Sequence, residues 1–155
     1  MYREKVVISA KVKIVPLGNG AIHAAGTLWR EAGLLRPWNN PWEDARKAIA
    51  SPSSVILGGV RTGDLVATTM VGDDGHRGWV YYLAVSQEFR RRGIGRLMMT
   101  ACESWLKARD TSKVHIMVRL DNKEVAGFYE HWDMEVKNFC SSRNASLRPA
   151  MISVP

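Results

Sequence analysis

The feature that most constrains the fold is an apolar segment followed at once by a basic, glycine-containing loop and an amphipathic helix. The segment Trp79 to Val85 is almost wholly apolar or aromatic, which predicts a strand buried on both faces. After the loop, apolar side chains recur at helical spacing at Ile94, Leu97, Met98, Ala101, Cys102 and Trp105. A buried strand that leads into such a helix belongs to a sheet with helices packed on it. Cys102 lies on the apolar stripe, so we expect a core thiol there.

The rest of the chain alternates between patterns typical of strands and of helices. Runs rich in β-branched residues predict strands over Val6 to Val15, Ser54 to Val60, Leu65 to Val71, Val114 to Leu120 and Met134 to Phe139. Apolar spacing predicts helices from Ile22 to a stop at Gly33, over Trp42 to Ala50 after Pro41, and through Val125, Phe128, Tyr129 and Trp132. We expect Leu147 to Val154 to pair at a sheet edge. Hairpins that precede βα units predict an α/β (α+β) fold in which helices cover a mixed sheet.

Length and composition fit one globular domain over residues 1–155. The chain has 155 residues, of which 46% are hydrophobic and 24% charged, and a domain usually has roughly 100–200 residues. No apolar run approaches the ~18 residues of a membrane span, and charges interrupt the N-terminal region, so we expect neither a membrane protein nor a secretory signal. Two cysteines without a C-x-x-C pair predict neither a disulfide scaffold nor a zinc site. A reduced, cytoplasmic protein is the natural interpretation.

The loop between the apolar segment and its helix has the chemistry of an anion site. The net charge of +7 predicts an anionic partner. The loop and the first helical turn hold four arginines, Arg90, Arg91, Arg92 and Arg96. Gly93 and Gly95 let a ligand approach the backbone at a helix N-terminus, where N–H groups carry partial positive charge. Met98 stands where a dinucleotide fingerprint needs a third glycine. The residue types alone leave two interpretations open, a diphosphate cradle and a glycine-eased turn beside a solvated basic face.

The motifs of this region resemble those of the GNAT superfamily of acyl-CoA-dependent N-acetyltransferases. Arg90-x-x-Gly93-x-Gly95 resembles its pyrophosphate-binding motif, and Leu83-Ala84-Val85 resembles the end of the strand before that motif. Further segments are similar to the bacterial YpeA-like group: Leu28 to Glu31, Leu34 to Asn39, Asp74 to Gly78 and Tyr81 to Leu83. The resemblance covers residues 14–136 and leaves the tail after Lys137 unassigned. It implies a GNAT fold, which has a mixed, mostly antiparallel sheet, a V-shaped splay between two parallel strands and about four flanking helices.

The resemblance also implies an activity, the transfer of an acetyl group from acetyl-CoA to a small-molecule or peptide amine by direct attack in a ternary complex. Backbone N–H groups near Leu83, Ala84 and Val85 would hold the pantetheine and polarise the thioester carbonyl, as an oxyanion hole does. Tyr129 would be the catalytic general acid that protonates the leaving thiolate. Asn122 would contact the coenzyme or cap its helix. The other coenzyme-binding residues implied are Arg90, Arg91, Arg92, Gly93, Ile94, Gly95, Arg96 and Phe128.

The general base and the acceptor pocket have no single candidate. An amine with an ordinary pKa of about 10.4 is only ~0.04% neutral at pH 7, so a side chain or a water chain must accept its proton. The side chains considered are Tyr81, Tyr82, Asp73, Asp74 and His76. The loop between the first two helices overhangs the acceptor site in GNAT folds, and here it carries Arg36, Trp38, Asn39 and Trp42. These four either contact the acceptor or anchor the loop by packing, and packing is slightly favoured.

Two other functions compete with that of an enzyme. A GNAT-fold protein can bind acyl-CoA as a sensor without turnover, although Tyr129 weighs against this. Alternatively, arginines interleaved with aromatic residues can bind nucleic acid, although no helix-turn-helix, zinc-finger or RNP-like string is present. A steep loss of binding with salt would identify a nucleic-acid partner. A homodimer is compatible with the sequence, and we expect neither a membrane partner nor a metal.

Overall fold

The computed structural model describes residues 11–119, 127–128, 135–138 and 149–154. Its strands are β1 (Lys13–Pro16), β2 (Ser54–Arg61), β3 (Asp64–Asp73), β4 (Gly78–Val85), β5 (Val114–Arg119), β6 (Glu135–Asn138) and β7 (Pro149–Val154). The α-helices within these ranges are α1 (Ile22–Glu31), α2 (Pro41–Ala50) and α3 (Ile94–Lys107). In the described part of the chain, none of the helices combines the length and the apolar character that crossing a membrane requires.

The seven strands form one sheet in the order β1-β2-β3-β4-β5-β7-β6. Strands β1 to β4 are antiparallel neighbours, β4 and β5 are parallel, and β7 runs antiparallel to both β5 and β6. The predicted mixed, mostly antiparallel sheet is therefore confirmed. The predicted position of the last strand is wrong, because β7 is paired on both sides and lies inside the sheet rather than at its edge. Sequence pattern reports that a segment is extended, but not which strands arrive on either side of it.

The parallel pairing between β4 and β5 is short. It joins residues 78–80 to residues 114–116, whereas β4 runs on to Val85 and β5 continues beside β7 to Arg119. Within the described residues, the two strands therefore separate after Val80, and the later part of β4 has no strand beside it on the β5 side. This gap is the V-shaped splay that the family resemblance implies.

Helices cover the sheet on both faces. On one face, Met98 and Leu106 of α3 pack with Val80 in a core whose side chains are almost completely buried. On the opposite face, α1 and α2 enclose a second core that contains the fully buried Trp29 and the nearly buried Met70. Each helix presents one apolar stripe to the sheet, as its sequence spacing predicts.

Two predictions about burial have opposite outcomes. Cys102 is a core thiol, as predicted: it is 0% exposed, its Sγ lies 3.6 Å from Thr69 Oγ1, and burial raises its pKa to about 12. In contrast, β4 is not buried on both faces, since Tyr81 is 41% exposed. The described helices on that face pack over β2, β3 and the end of β4, so the first half of β4 is left open.

Most predicted elements are confirmed to within one or two residues. The helix after Pro41 and the two hairpin strands β2 and β3 lie where the sequence places them. Of the first predicted strand, Val6 to Val15, only the end is present as β1, because Lys11 and Val12 are not in the strand. Residues 1–10 lie outside the described residues. Only residues 127–128 of the predicted last helix are described, and they are helical.

Candidate functional site

The centre of the candidate site is an irregularity in β4. The pair Thr68–Ala84 is followed along the ladder by the pair Met70–Tyr81. One residue of β3 therefore faces two of β4, which is a β-bulge. Tyr82 lies in this bulge with a φ of 51°, in the left-handed region that bulky residues seldom adopt. The strand is strained at the point where it leaves β5.

The bulge decides which side chains share a face of the sheet. Tyr81 lies opposite Met70, and Tyr82 packs against the same core beneath α1 and α2. Two successive side chains thus share a face, whereas an unbroken strand would alternate them. Leu83 and Val85 then return to the face covered by α3. Strict alternation along the sequence therefore assigns the side chains of this part of β4 to the wrong faces of the sheet.

The end of β4 presents backbone groups to the open side of the splay. The N–H of Ser86 donates to the carbonyl of Val66 at 2.8 Å, on the β3 side. Because backbone groups alternate sides along a strand, the N–H and C=O of Val85 point the other way, into the splay. The Val85 carbonyl there accepts a hydrogen bond from Arg90 Nε at 3.0 Å. The Val85 N–H is thereby aimed at the space between the strands.

The loop after β4 has the geometry of an anion cradle. Arg91 and Gly93 have φ values of 63° and 80°, and α3 begins directly afterwards at Ile94. Left-handed residues in such a turn gather N–H groups around a concavity, and the first N–H groups of an α-helix have no intrahelical acceptor. A Cβ on Gly93 would meet no atom within 4 Å. Glycine is therefore favoured at residue 93 by its backbone angle, and the space beside it is open.

Gly95 has a different reason to be glycine. A Cβ there would lie 3.3 Å from the ring of Phe128 and 4.0 Å from Val85. The missing side chain lets Phe128 lie against the first turn of α3. Ile94 is 7% exposed and belongs to the core beneath α3. Ile94 can therefore contribute only its backbone to a ligand, and the contacts at Gly95 are packing contacts with Phe128 and Val85.

The arginines bring positive charge to this opening. The four arginines of the loop and first helical turn are exposed. The guanidinium of Arg92 lies 5.6 Å from the ring centre of Phe89, and that of Arg61 lies 5.2 Å from the same ring. Arg90 is held by its bond to the strand end. Cations grouped around N–H donors favour an anionic ligand.

On the opposite face of β4, Tyr82 is held by contacts from three elements. Its ring stacks on Trp29 with 4.2 Å between centroids, and its hydroxyl donates to Asp44 Oδ2 at 2.8 Å. Thr68 Oγ1 donates to the Tyr82 carbonyl at 3.3 Å and accepts from Trp29 Nε1 at 2.8 Å. Desolvation and the Asp44 carboxylate raise the pKa of Tyr82. The phenol therefore stays protonated and is a poor candidate for the general base; Asp44 is a residue that sequence reasoning missed.

The two candidate aspartates belong to the turn between β3 and β4. Asp73 accepts the N–H of Gly75 at 2.8 Å, and Asp74 accepts the N–H groups of His76 and Arg77 at 2.9 and 2.7 Å. These backbone bonds lower the pKa of Asp74, the one to Arg77 most. A carboxylate stabilised in its charged form is a weaker base. Both aspartates therefore shape the turn.

The first half of β4 carries an aromatic surface with a buried histidine beside it. The rings of Trp79 and Tyr81 are nearly parallel, with centroids 6.4 Å apart, and His115 meets Trp79 edgewise at 5.3 Å. His115 is 7% exposed, and among the described residues its Nδ1 has no hydrogen-bond partner. Desolvation lowers its pKa and raises that of Tyr81. At neutral pH the His115 imidazole and the Tyr81 phenol are therefore both uncharged.

The connection between α1 and α2 is anchored at two of its predicted residues. Arg36 donates to the carbonyls of Gly33 and Leu35 at 3.0 and 2.8 Å, and Trp42 packs against α1. Trp38 is 66% exposed. Packing therefore accounts for Arg36 and Trp42 and leaves Trp38 available to a ligand.

Two of the predicted site residues, Tyr129 and Asn122, lie outside the described residues. Their roles stay predictions. Phe128, which precedes Tyr129, packs beside Gly95 and the end of β4. Over the described ranges, no group of three or more His, Cys, Asp or Glu side chains is arranged to hold a metal ion.

Sequence comparison identifies relatives over most of the chain. Residues 24–134 match the acetyltransferase (GNAT) family model. An acetyltransferase of Pectobacterium atrosepticum is 42% identical over 109 residues, which cover 70% of this chain and 77% of that protein.

Solved structures share the fold at lower sequence identity. The ribosomal-protein-S18-alanine N-acetyltransferase of Escherichia coli matches with a TM-score of 0.73 at 17% identity, covering 92% of this chain and 90% of that chain. The PaiA N-acetyltransferase of Thermoplasma acidophilum, solved in complex with coenzyme A, matches with a TM-score of 0.72 at 13% identity, covering 92% and 98%. At such identities the likeness shows the fold alone.

Proposed function

Because the chain belongs to the acetyltransferase (GNAT) family, we propose that it transfers the acetyl group of acetyl-CoA to a primary amine by direct attack in a ternary complex. One observation carries this proposal. The open, bulged end of β4 and the cradle at the start of α3 are joined by one short loop. A ligand with a diphosphate in one part and a polar carbonyl in another can therefore meet both.

The diphosphate of the coenzyme would occupy the cradle. The N–H groups of the Arg91–Gly93 turn and of the first turn of α3 would donate to its oxygens, and the exposed arginines would balance its charge. Phe128 would line the approach beside Gly95. The left-handed backbone at Arg91 and Gly93 is what supports this assignment, because it turns the donors to one side.

The thioester would lie along the splayed end of β4. The Val85 N–H faces the gap, and the pantetheine amides would add to the strand as a missing neighbour does, beside Leu83 and Ala84. A fixed N–H donor near the carbonyl oxygen would stabilise the charge that develops as the amine attacks. The bulge at Tyr82 supports this role because it frees backbone groups from the β3 ladder.

The bond changes assign a role to Tyr129. The amine nitrogen attacks the thioester carbon, the tetrahedral intermediate collapses, and the C–S bond breaks to release the thiolate. Tyr129 would give its phenolic proton to that sulfur, and the proton lost by the amine would return to the phenol through water. Asn122 would bind a coenzyme amide or cap the helix that the sequence predicts around Tyr129.

The acceptor would approach across the face that carries Trp79 and Tyr81. Trp38, in the connection between α1 and α2, is exposed and would be available to contact it. The acceptor's proton would leave through a water chain, because Tyr82 and Asp74 are both poor bases: the pKa of Tyr82 is raised with its hydroxyl bound to Asp44, and the pKa of Asp74 is lowered. The aromatic surface favours an acceptor with an apolar or planar part next to its amine.

Calorimetry and an acceptor screen test the proposal together. Acetyl-CoA should bind saturably at one site per chain, and dephospho- or desulfo-analogues should retain part of the affinity. Amino acids, polyamines, aminoglycosides and peptides would be screened with thiol release as the readout. Binding of NAD or duplex DNA in place of acetyl-CoA would contradict the proposal, and a steep loss of DNA binding with salt would identify a nucleic-acid partner. Tight acetyl-CoA binding with no thiol release for any acceptor would favour the sensor.

A further inference from the structure

We propose that Asp44 and Tyr82 are positioning residues for the thioester: through their hydrogen bond, α2 holds the bulge of β4 in the geometry that polarises the acetyl carbonyl. The inference rests on the proposed function, because it concerns the same acetyl-CoA site. It assigns to these two side chains a role that is exerted on the thioester through the backbone of β4.

The backbone at Tyr82 needs support from its surroundings. A φ of 51° is unfavourable for a tyrosine, and a residue in such a conformation persists only where the contacts around it over-determine it. Glycine or asparagine would adopt this angle more readily. A tyrosine at this position indicates that the contacts of its side chain compensate for the unfavourable backbone angle.

The side chain of Tyr82 is fixed at both ends. Its ring stacks on that of Trp29 with 4.2 Å between centroids, and Trp29 is fully buried. Trp29 donates a hydrogen bond to Thr68, and Thr68 donates one to the Tyr82 carbonyl. At the far end, the hydroxyl meets Asp44 at 2.8 Å. The three supports come from α1, α2 and β3, so the bulge is tied to both helices of this face.

Asp44 is held rigidly enough to act as an anchor. It lies in the first turn of α2, where its N–H donates to the Asn40 carbonyl at 2.9 Å and Asn40 caps the helix through Glu43 N–H. A carboxylate near a helix N-terminus is stabilised by the partial positive charge there. The acceptor of the Tyr82 hydroxyl is therefore fixed in position.

The hydrogen bond between Asp44 and Tyr82 affects the backbone groups on the side of β4 that faces the splay. If Tyr82 relaxed to an extended conformation, the register of residues 83–85 against β3 would shift, and a one-residue shift turns backbone groups and side chains to the opposite side. The Val85 N–H, which now points into the splay, would turn away from the carbonyl. Misplacing a reacting group by about 1 Å can cost roughly 100-fold in rate.

The experiment compares four variants with a matched control. Tyr82→Phe removes the hydroxyl and keeps the ring, Asp44→Ala removes the acceptor, Asp44→Asn keeps an acceptor oxygen, and the double variant Tyr82→Phe/Asp44→Ala removes both groups. Glu43→Ala is the control, since it deletes a carboxylate from the same helical turn that pairs instead with Arg46 and Lys47 on the exposed side. Each variant is measured for melting temperature, affinity for CoA and for acetyl-CoA, and the infrared carbonyl stretch of bound acetyl-CoA labelled with ¹³C at the carbonyl.

In the wild type, the bound carbonyl band should lie below its position in water. Tyr82→Phe and Asp44→Ala should move it back toward the free value and lower the preference for acetyl-CoA over CoA, while CoA affinity stays within about threefold. With a working acceptor, single-turnover rates should fall roughly 100-fold. Asp44→Asn should recover most of the shift, Glu43→Ala should match the wild type, and the double variant should be no worse than either single variant.

The outcomes separate this inference from the proposed function. An unchanged carbonyl band in a folded Tyr82→Phe or Asp44→Ala protein, with the wild type polarising acetyl-CoA, would overturn the inference and leave the proposed function standing. Equal loss of CoA and acetyl-CoA affinity would also overturn the inference, because partial unfolding lowers both affinities without a specific effect on the thioester. If Tyr82→Phe unfolds at too low a temperature to assay, the inference is tested by comparing the carbonyl bands of Asp44→Ala and Asp44→Asn. Both of these variants keep the ring of Tyr82 that stacks on Trp29. Failure of the wild type to bind acetyl-CoA would overturn both proposals.

Discussion

The two ends of the candidate site reach the same backbone conformation by different means. In the cradle, Arg91 and Gly93 adopt positive φ in an exposed loop, and the hydrogen bond from Arg90 to the Val85 carbonyl joins residues only five positions apart. In the bulge, Tyr82 adopts positive φ with its side chain tied to Asp44, which is 38 residues away. The positive φ of Gly93 follows from its residue type, whereas the positive φ of Tyr82 is held by tertiary contacts.

The two halves of the site are therefore sensitive to different substitutions. At Gly93 the conformation is cheap, because glycine adopts it freely, so a change there acts on the loop and leaves the core intact. At Tyr82 the conformation is unfavourable and is held by a buried network that includes Trp29 and Thr68. Changes in that network should reach stability and thioester geometry together.

Tyr129→Phe should act on neither half, which sharpens the comparison. The phenol is proposed to protonate the leaving thiolate, so single-turnover chemistry should fall by roughly 10²–10⁴-fold, the usual range for loss of a general acid. Coenzyme affinity and the carbonyl band should stay close to those of the wild type. Stability and binding are measured on the same sample, and an unchanged chemical rate would remove Tyr129 from the mechanism.

Trp29→Phe should act on the bulge alone. The variant loses the 2.8 Å bond to Thr68 and part of a fully buried ring. We expect the free energy of unfolding to fall by about 2–3 kcal/mol, from the lost bond and the cavity. CoA affinity, measured well below the melting temperature, should change little. A large loss of CoA affinity in a folded Trp29→Phe protein would show that the two halves are not separate.

Gly93→Ala should act on the cradle alone. The added Cβ meets no neighbour within 4 Å, so its effect comes from the φ of 80°, which costs a non-glycine residue about 1–2 kcal/mol. If the loop relaxes to avoid this cost, CoA affinity falls roughly tenfold while denaturant unfolding changes little. Gly93→Asn is the matched control, because asparagine tolerates the left-handed region better. A fall in unfolding free energy with unchanged affinity would mean that the loop keeps its shape without serving the ligand.

The alkaline limb of the stability curve should report the bulge and not the cradle. The folded-state pKa of Tyr82 is raised above its unfolded value near 10, so its contribution is complete below about pH 10 and is lost as pH rises through the folded value. Tyr82→Phe should therefore flatten the decline of unfolding free energy above about pH 10. Cys102, with a pKa of about 12, adds a decline that both proteins share. Identical slopes would show that the Tyr82 hydroxyl is not held as described.

The sequence predicts the coarse fold because its elements are carried by short patterns. Helix α3 and its cradle lie within one continuous stretch, and the spacing of Ile94, Met98 and Cys102 reports the buried stripe directly. The placement of β7 between β5 and β6 escapes such reasoning, because strand partners are chosen by segments far away in the chain. Gly95 is an intermediate case: the sequence shows its position in the glycine motif, but only the structure shows its contact with Phe128.

The sequence alone shows that a strand, a basic glycine loop and an amphipathic helix follow one another, and this order indicates the family. Tertiary structure alone decided that the two adjacent tyrosines differ, with Tyr81 41% exposed and Tyr82 bound to Asp44 and Trp29. The physical reason is the bulge. Periodicity assigns faces only while a strand keeps a period of two, and one inserted residue, held in place by side chains from α1 and α2, breaks that period at the centre of the site.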